Sequence, residues 1–193
     1  AFKNIPTQLN GKKTYIMYPV FYGPKDSGKN LFEGRDWTHN PGSLFGMLTD
    51  SAMLYYAYSG DKEIIPLIRE VLDHHISNGS TEASDAWSSV PYASSDGGCL
   101  IYRGADDSKY IQDDKFLGRG DGKGFIEPDK VGELGLAYLK FYEFTLEEKY
   151  FDAARKCADA LVKHVRTGDA SHSPWPFRVD AKTGKTAKEE YTS

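Results

Sequence analysis

Residues 47–76 read MLTDSAMLYYAYSGDKEIIPLIREVLDHHI and residues 133–162 read ELGLAYLKFYEFTLEEKYFDAARKCADALV, and the two stretches align without a gap at an offset of 86. Tyr56 falls on Tyr142, Tyr58 on Phe144, Arg69 on Arg155 and Asp73 on Asp159. Ile64, Ile65, Ile68, Val71, Leu72 and Ile76 land on Tyr150, Phe151, Ala154, Cys157, Ala158 and Val162. An apolar face of helical period therefore recurs. Each copy reads as a helix apolar around nearly its whole circumference, a tight turn, and a second helix apolar on one side only. In the first copy these are Leu44 to Tyr58, the turn Ser59-Gly60-Asp61, and residues 61–77, whose other face carries Lys62, Glu63, Arg69, Glu70 and Asp73. A helix apolar all round is expected to be buried on most sides. A hairpin that cannot cover its own faces and recurs along the chain predicts a helical array, solenoid or closed ring.

Punctuation residues agree with these limits. Asn40-Pro41 supplies a cap followed by proline at the first helical position, and Asn78-Gly79 supplies a stop. Thr145 and Glu148 have the spacing of a capping box at the start of the fourth helix. The fold expected is all-α, with antiparallel helical hairpins over residues 42–79 and 129–167. Between and around them lie residues 1–40, 78–128 and 168–193, rich in Gly, Ser, Asp, Pro, Trp and Tyr. Irregular segments this long are usually functional. In consecutive hairpins the turns lie at one end and the joining segments at the other, so the three long segments are expected on one face, above the N-termini of the buried helices.

Composition narrows the function classes. The chain has 193 residues, 39% of them hydrophobic and 27% charged, enough for one substantial core. Lys and Arg total 24 against 28 Asp and Glu, a formal charge of −4, so nucleic acid, which needs a positive footprint, is not an expected partner. No apolar run approaches the roughly 18 residues of a membrane span, and Ala1-Phe2-Lys3-Asn4 opens no apolar signal-peptide core. No membrane partner is expected. Cys99 and Cys157 are too few for a disulfide framework or a cysteine zinc site. The 13 Tyr, 10 Phe and 3 Trp supply rigid, half-polar faces, most of them for the core and the rest suited to sugar rings.

The run from Glu133-Leu134-Gly135-Leu136-Ala137 to Phe151-Asp152-Ala153-Ala154-Arg155, a buried helix followed by an outer one, resembles the six-hairpin (α/α)6 toroid superfamily of carbohydrate-active enzymes. Ser173-Pro174-Trp175-Pro176-Phe177-Arg178-Val179-Asp180 is similar to the Trp-Pro loops that those proteins place beside their outer helices. The superfamily includes unsaturated glucuronyl hydrolases, many glycosidases, sugar epimerases and polysaccharide lyases. The resemblance implies a partial toroid, since two clear hairpins stand where a closed ring needs six. Residues 1–193 then form one helical-hairpin domain or a piece of a larger toroid domain, completed by self-association or by the remainder of the ring. It also implies an oligo- or polysaccharide substrate, no cofactor, and a secreted or periplasmic setting.

Glycosyl transfer to water needs two carboxyl groups flanking the bond, one protonated and one ionised. Asp36, beside Trp37 and just ahead of the first buried helix, suits a general acid, because a neighbouring indole raises a carboxyl pKa. Asp129, opening the second buried helix, suits a base or nucleophile; its plain alternative is helix capping, as pairing with Arg35 is for Asp36. Trp37, Trp87, Tyr92, Tyr102 and Trp175 are candidates for sugar stacking on the loop face, against packing over the hairpins. Arg35, Arg103, Arg119 and Arg178 can hold a sugar carboxylate, against surface pairing. His39 and His172 are the loop histidines available to a substrate or to a lyase-type base, whereas His75 aligns with Leu161 and reads as packing. No metal site is expected: in the calcium-loop register from Arg119 to Lys130, Arg119, Lys123 and Lys130 occupy positions that require oxygen ligands. Residues 118–124 lack the spacing of a phosphate loop.

Two function classes follow. The first is a glycoside hydrolase acting by paired carboxylates in a loop-built, aromatic-lined cleft, with a lyase or epimerase as variants on the same fold. The second is a non-catalytic helical-repeat module that binds a glycan or protein on the same face. Under the first, Asp36, Trp37, Trp87, Tyr92, Asp129 and Trp175 are expected to border one concavity, with the two carboxylates about 5–10 Å apart.

Overall fold

The computed structural model describes residues 38–39, 41–93, 95–96, 111–112, 115–116 and 124–188, and among these described residues are four helices and seven short strands. The helices are α1 (Pro41–Ser59), α2 (Ile64–Asn78), α3 (Pro128–Thr145) and α4 (Glu148–Lys163), two hairpins joined by short turns. Pro41 and Pro128 each stand at a helix start, where a missing N–H costs nothing. The strands are β1 (Thr38–His39), β2 (Ser95–Asp96), β3 (Ile111–Gln112), β4 (Lys115–Phe116), β5 (Phe125–Ile126), β6 (Arg178–Asp180) and β7 (Thr186–Lys188). The protein is therefore mostly helical rather than strictly all-α. The described parts of the connecting segments form short antiparallel pairings, β1 with β2, β3 with β4, and β5-β6-β7 in one sheet.

The two hairpin turns carry the same hydrogen bonds at positions 86 apart. Ser59 Oγ donates to the Tyr55 carbonyl and accepts from the Asp61 amide; Thr145 Oγ1 donates to the Phe141 carbonyl and accepts from the Glu147 amide. Gly60 N–H bonds Tyr56 O at 2.8 Å and Leu146 N–H bonds Tyr142 O at 2.7 Å. Both turn residues are left-handed, φ +67° at Gly60 and +58° at Leu146, the conformation that closes a helix C-terminus. These bonds displace the capping box: Thr145 ends α3, and Glu147, without a side-chain cap, precedes α4. The stop at Gly79 also has a different cause. Its φ of −122° is open to any residue, but a Cβ there would stand 2.7 Å from His75 Nε2.

Inner helices α1 and α3 run parallel. Gly42 packs on Lys130, Gly46 faces the Glu133 backbone, Asp50 bonds Lys140 at 2.9 Å, and the Tyr56 ring meets Phe144 edge-on at 5.1 Å. Outer helices α2 and α4 are bridged in the same sense. Arg69 donates to Glu147, while Asp73 accepts from Lys149 and from the Tyr150 hydroxyl, each at 2.8 Å. The bond to Glu147 raises the Arg69 pKa, and Arg69 in turn lowers that of Glu147.

The core fills the space between these layers. Phe45 and Ala52 from α1, Ile64, Ile68, Val71 and Leu72 from α2, Leu134, Tyr138 and Phe141 from α3, and Tyr150 and Cys157 from α4 are all buried. Gly135 lets α3 and α4 approach so closely that a Cβ on it would lie 2.8 Å from the Cβ of Cys157. His75 is buried as a packing residue, its Nδ1 3.2 Å from the Tyr138 hydroxyl and its ring edge-on to Phe45. The expectation that α1 is buried on most sides fails. Met47, Leu54, Tyr55 and Tyr58 are exposed, Leu54 at 73% and Tyr58 at 92%; among the described residues the helices packed on α1 are α2 and α3.

Candidate functional site

The segments that follow α2, precede α3 and follow α4 converge at the end of the hairpins opposite the turns. Trp87 N–H bonds Ala181 O at 3.0 Å, Ala93 N–H bonds Phe125 O at 3.0 Å, and Ala181 N–H bonds Gly124 O at 2.9 Å. β1, just ahead of α1, pairs with β2 in the same connecting region. Four polypeptide stretches thus form a loop layer over the starts of α1 and α3.

A charged cluster sits where this layer meets α3. Glu127, whose side chain is fully buried, pairs with Lys130 one turn further on and accepts from Arg178 Nε of β6 at 3.4 Å. Both cations lie over the Phe177 ring, Lys130 Nζ at 5.7 Å and the Arg178 guanidinium at 5.5 Å. A fully buried carboxylate paired with two cations holds β6 to the start of α3. Asp129 differs. It occupies the first turn of α3 with 37% of its side chain exposed, and its Oδ2 stands 3.7 Å from Lys130 Nζ. The helix N-terminus and the ammonium both attract negative charge there. Among the described residues of the cluster it is the carboxylate with open access.

The aromatic candidates are not arranged as expected. Trp87 is buried, its indole stacked on the His164 ring with centroids 4.3 Å apart, so neither face is offered to a ligand. Tyr92 is buried as well, its amide tied to Gly79 O. Trp175 is half-buried against the outer helix, where its Nε1 donates to Leu161 O at 2.9 Å. Apolar rings near an incompletely covered hairpin gain more by sealing the core than by facing water. The concavity expected from Trp87, Tyr92 and Trp175 around Asp129 is therefore not formed by these three rings. Arg178 is committed to Glu127 and Phe177, and His172, in an exposed loop, bonds Asp169 at 2.9 Å. Asp36, Trp37, Tyr102, Arg103, Arg35 and Arg119 lie outside the described residues, as does the side chain of His39, whose backbone forms part of β1.

A cavity of about 400 Å³ opens between the end of α2, residues 80–91 and α4. Ser77, Ser80, Thr81 and Ser89 line it with Lys149 and Lys156. Among the described residues of this lining Glu82 is the one carboxylate. No group of histidines, cysteines and carboxylates among the described residues is arranged to hold a metal ion, and none of the described helices is long and apolar enough to cross a membrane.

Sequence reasoning missed Glu127. The legible part was a carboxylate three residues before a lysine at a proline-marked helix start; its second partner, Arg178, is 51 positions away. No protein-family model matches this chain, and no curated protein matches it.

Proposed function

We propose that this chain is part of a carbohydrate-active enzyme built on repeated helical hairpins, a partial (α/α)6 toroid, acting as a glycoside hydrolase with paired carboxylates at the loop end. The observation that carries the reading is Asp129: an accessible carboxylate on the first turn of an inner helix, beneath a layer of converging loops and beside a lysine. Identical hydrogen bonding in turns 86 residues apart supports the repeat, and the 173–177 stretch, held to α4 by Trp175 and to Arg166 just beyond it by the Pro174 carbonyl, supports the likeness to Trp-Pro loops. Asp36 precedes α1 in sequence as Asp129 opens α3, which makes it the proposed partner acid.

The test is release of reducing sugar from a panel of neutral and acidic polysaccharides, with ultraviolet absorbance followed in parallel for the unsaturated uronate that a lyase makes. Hydrolysis should appear, and Asp129→Asn and Asp36→Asn should each lower turnover by about 10²-fold or more. Glu127 holds the N-cap position, so unchanged activity in Asp129→Asn reduces Asp129 to a first-turn carboxylate that only meets the helix N-terminus. Glycan binding without turnover in the wild type refutes the enzyme and leaves a binding module.

A further inference from the structure

The cavity at the end of α2 shares no lining residue with the cluster around Glu127 and Asp129. Three elements build it: the last turn of α2 at residues 76–78, the loop 80–91, and the face of α4 that carries Lys149, Ala153 and Lys156, with Tyr138 of α3 at its buried side. Its walls are fixed by hydrogen bonds of the chain itself. Thr81 Oγ1 accepts from the Val90 amide at 3.0 Å and donates to the Trp87 carbonyl, the Thr81 amide reaches Val90 O at 2.8 Å, and the Tyr92 amide reaches Gly79 O at 3.0 Å. The Tyr138 hydroxyl is held 3.2 Å from His75 Nδ1. A preformed wall leaves little to order when a ligand binds.

The polar groups of the lining are of both kinds. On the donor side stands Lys156, exposed and, among the described residues, without an ion pair, whereas Lys149 is engaged by Asp73 and Glu147. On the acceptor side stand Glu82 and the end of α2, where no described backbone amide reaches the carbonyls of Ile76, Ser77 and Asn78. The hydroxyls of Ser77 and Ser80 bond no other described residue and can donate or accept. An anion entering here meets Glu82 and the negative end of the α2 dipole, and a cation meets two ammonium groups. A sugar hydroxyl both donates and accepts, so a neutral polyhydroxylated ring uses the two sets together. The volume of about 400 Å³ lies within the range of cavities that hold small ligands, and Pro91 and Ala153 add apolar surface for the ring's C–H groups.

We propose that this cavity binds a neutral sugar residue, as a glycan-binding site separate from the loop end. It holds whether or not Asp129 is catalytic: an enzyme gains a second hold on its glycan along the outer helices, and a binding module gains its recognition site.

Amide-resolved NMR titration of the full chain with glucose, galactose, mannose and xylose, and with glucuronate and glucosamine as charged counterparts, tests it. At least one neutral sugar should shift the amides of residues 77–82 and 153–156 in a saturable way, with higher affinity than either charged sugar. Lys156→Ala should weaken that binding by about tenfold and Ser77→Ala by about threefold. Both positions are exposed, so melting curves should match the wild type and separate lost contacts from lost folding. The absence of a saturable shift with all four neutral sugars, shifts confined to residues 127–133, tighter binding of glucuronate or glucosamine, or unchanged affinity in Lys156→Ala would overturn the inference.

Discussion

Gly135→Ala puts the closest approach of α3 and α4 to a quantitative test. In an exposed helix interior this replacement stabilises by about 1 kcal/mol, because alanine has less backbone freedom to lose on folding. At position 135 the new Cβ would stand 2.8 Å from the Cβ of Cys157 and 3.5 Å from its sulfur. Both β-carbons are fixed to their backbones, so neither can rotate away and the helices must separate. Overpacking of this kind costs about 1–3 kcal/mol, and with neither carbon able to move the upper part of that range, about 2–3 kcal/mol, applies, which leaves a net loss of about 1–2 kcal/mol after the propensity gain. For a chain of this size that lowers Tm by about 2–8 °C. Gly132→Ala is the internal control: its Cβ would meet only Leu161 Cδ1 at 3.8 Å, an ordinary contact, so the propensity gain should survive and Tm should rise by about 2–4 °C. Thermal melts followed by far-ultraviolet circular dichroism, on dilute protein, read both. A Cys157→Gly background completes a double-mutant cycle, in which the Gly135→Ala penalty should disappear. If Gly135→Ala melts at or above the wild type, or its penalty persists without the Cys157 side chain, the helices do not meet in this way.

Gly60→Ala should cost about 1 kcal/mol although nothing lies within 4 Å of the added carbon, because the penalty is the left-handed backbone alone; chemical denaturation should show a lower midpoint with an unchanged slope. Burial raises the pKa of Tyr138, and burial followed by the hydrogen bond to Asp73 raises that of Tyr150, both above the ordinary value of 10. Their contribution is therefore complete below pH 10 and is lost as pH rises through the folded-state values, so stability should fall on the alkaline side, and Tyr150→Phe should flatten that decline while costing about 1 kcal/mol near neutrality. Burial pushes the Cys157 thiol up to about 12, so in a Cys99→Ser background a thiol reagent near neutral pH should label the chain only when it is unfolded; rapid labelling of the native protein would contradict the buried placement.

The contrast between Gly60 and Leu146 shows how far sequence reasoning reaches. Glycine announces a turn, and Leu146 does not, yet both adopt the same left-handed conformation with the same hydrogen bonds. The offset of 86 placed them together because apolar periodicity is a local signal that survives substitution at any one position. The same signal located the four helices, and Pro41 and Asn78 mark the observed ends of the first hairpin. It was silent about the capping box at Thr145, since whether a hydroxyl caps forward or bonds back to Phe141 depends on how the turn closes.

What the sequence by itself determined is the set of helices and their order, because amphipathic period and helix punctuation act over neighbouring residues. Only the tertiary structure decided which faces are covered and which side chains remain available. Trp87 became a core residue by meeting His164, 77 positions away, and Glu127 was enclosed through Arg178. Asp129 kept its access to solvent, as did Leu54 and Tyr58 of α1. Each outcome turns on a partner distant in the chain, and an aromatic or charged residue carries no local mark of whether its neighbour in space will be another chain segment or water.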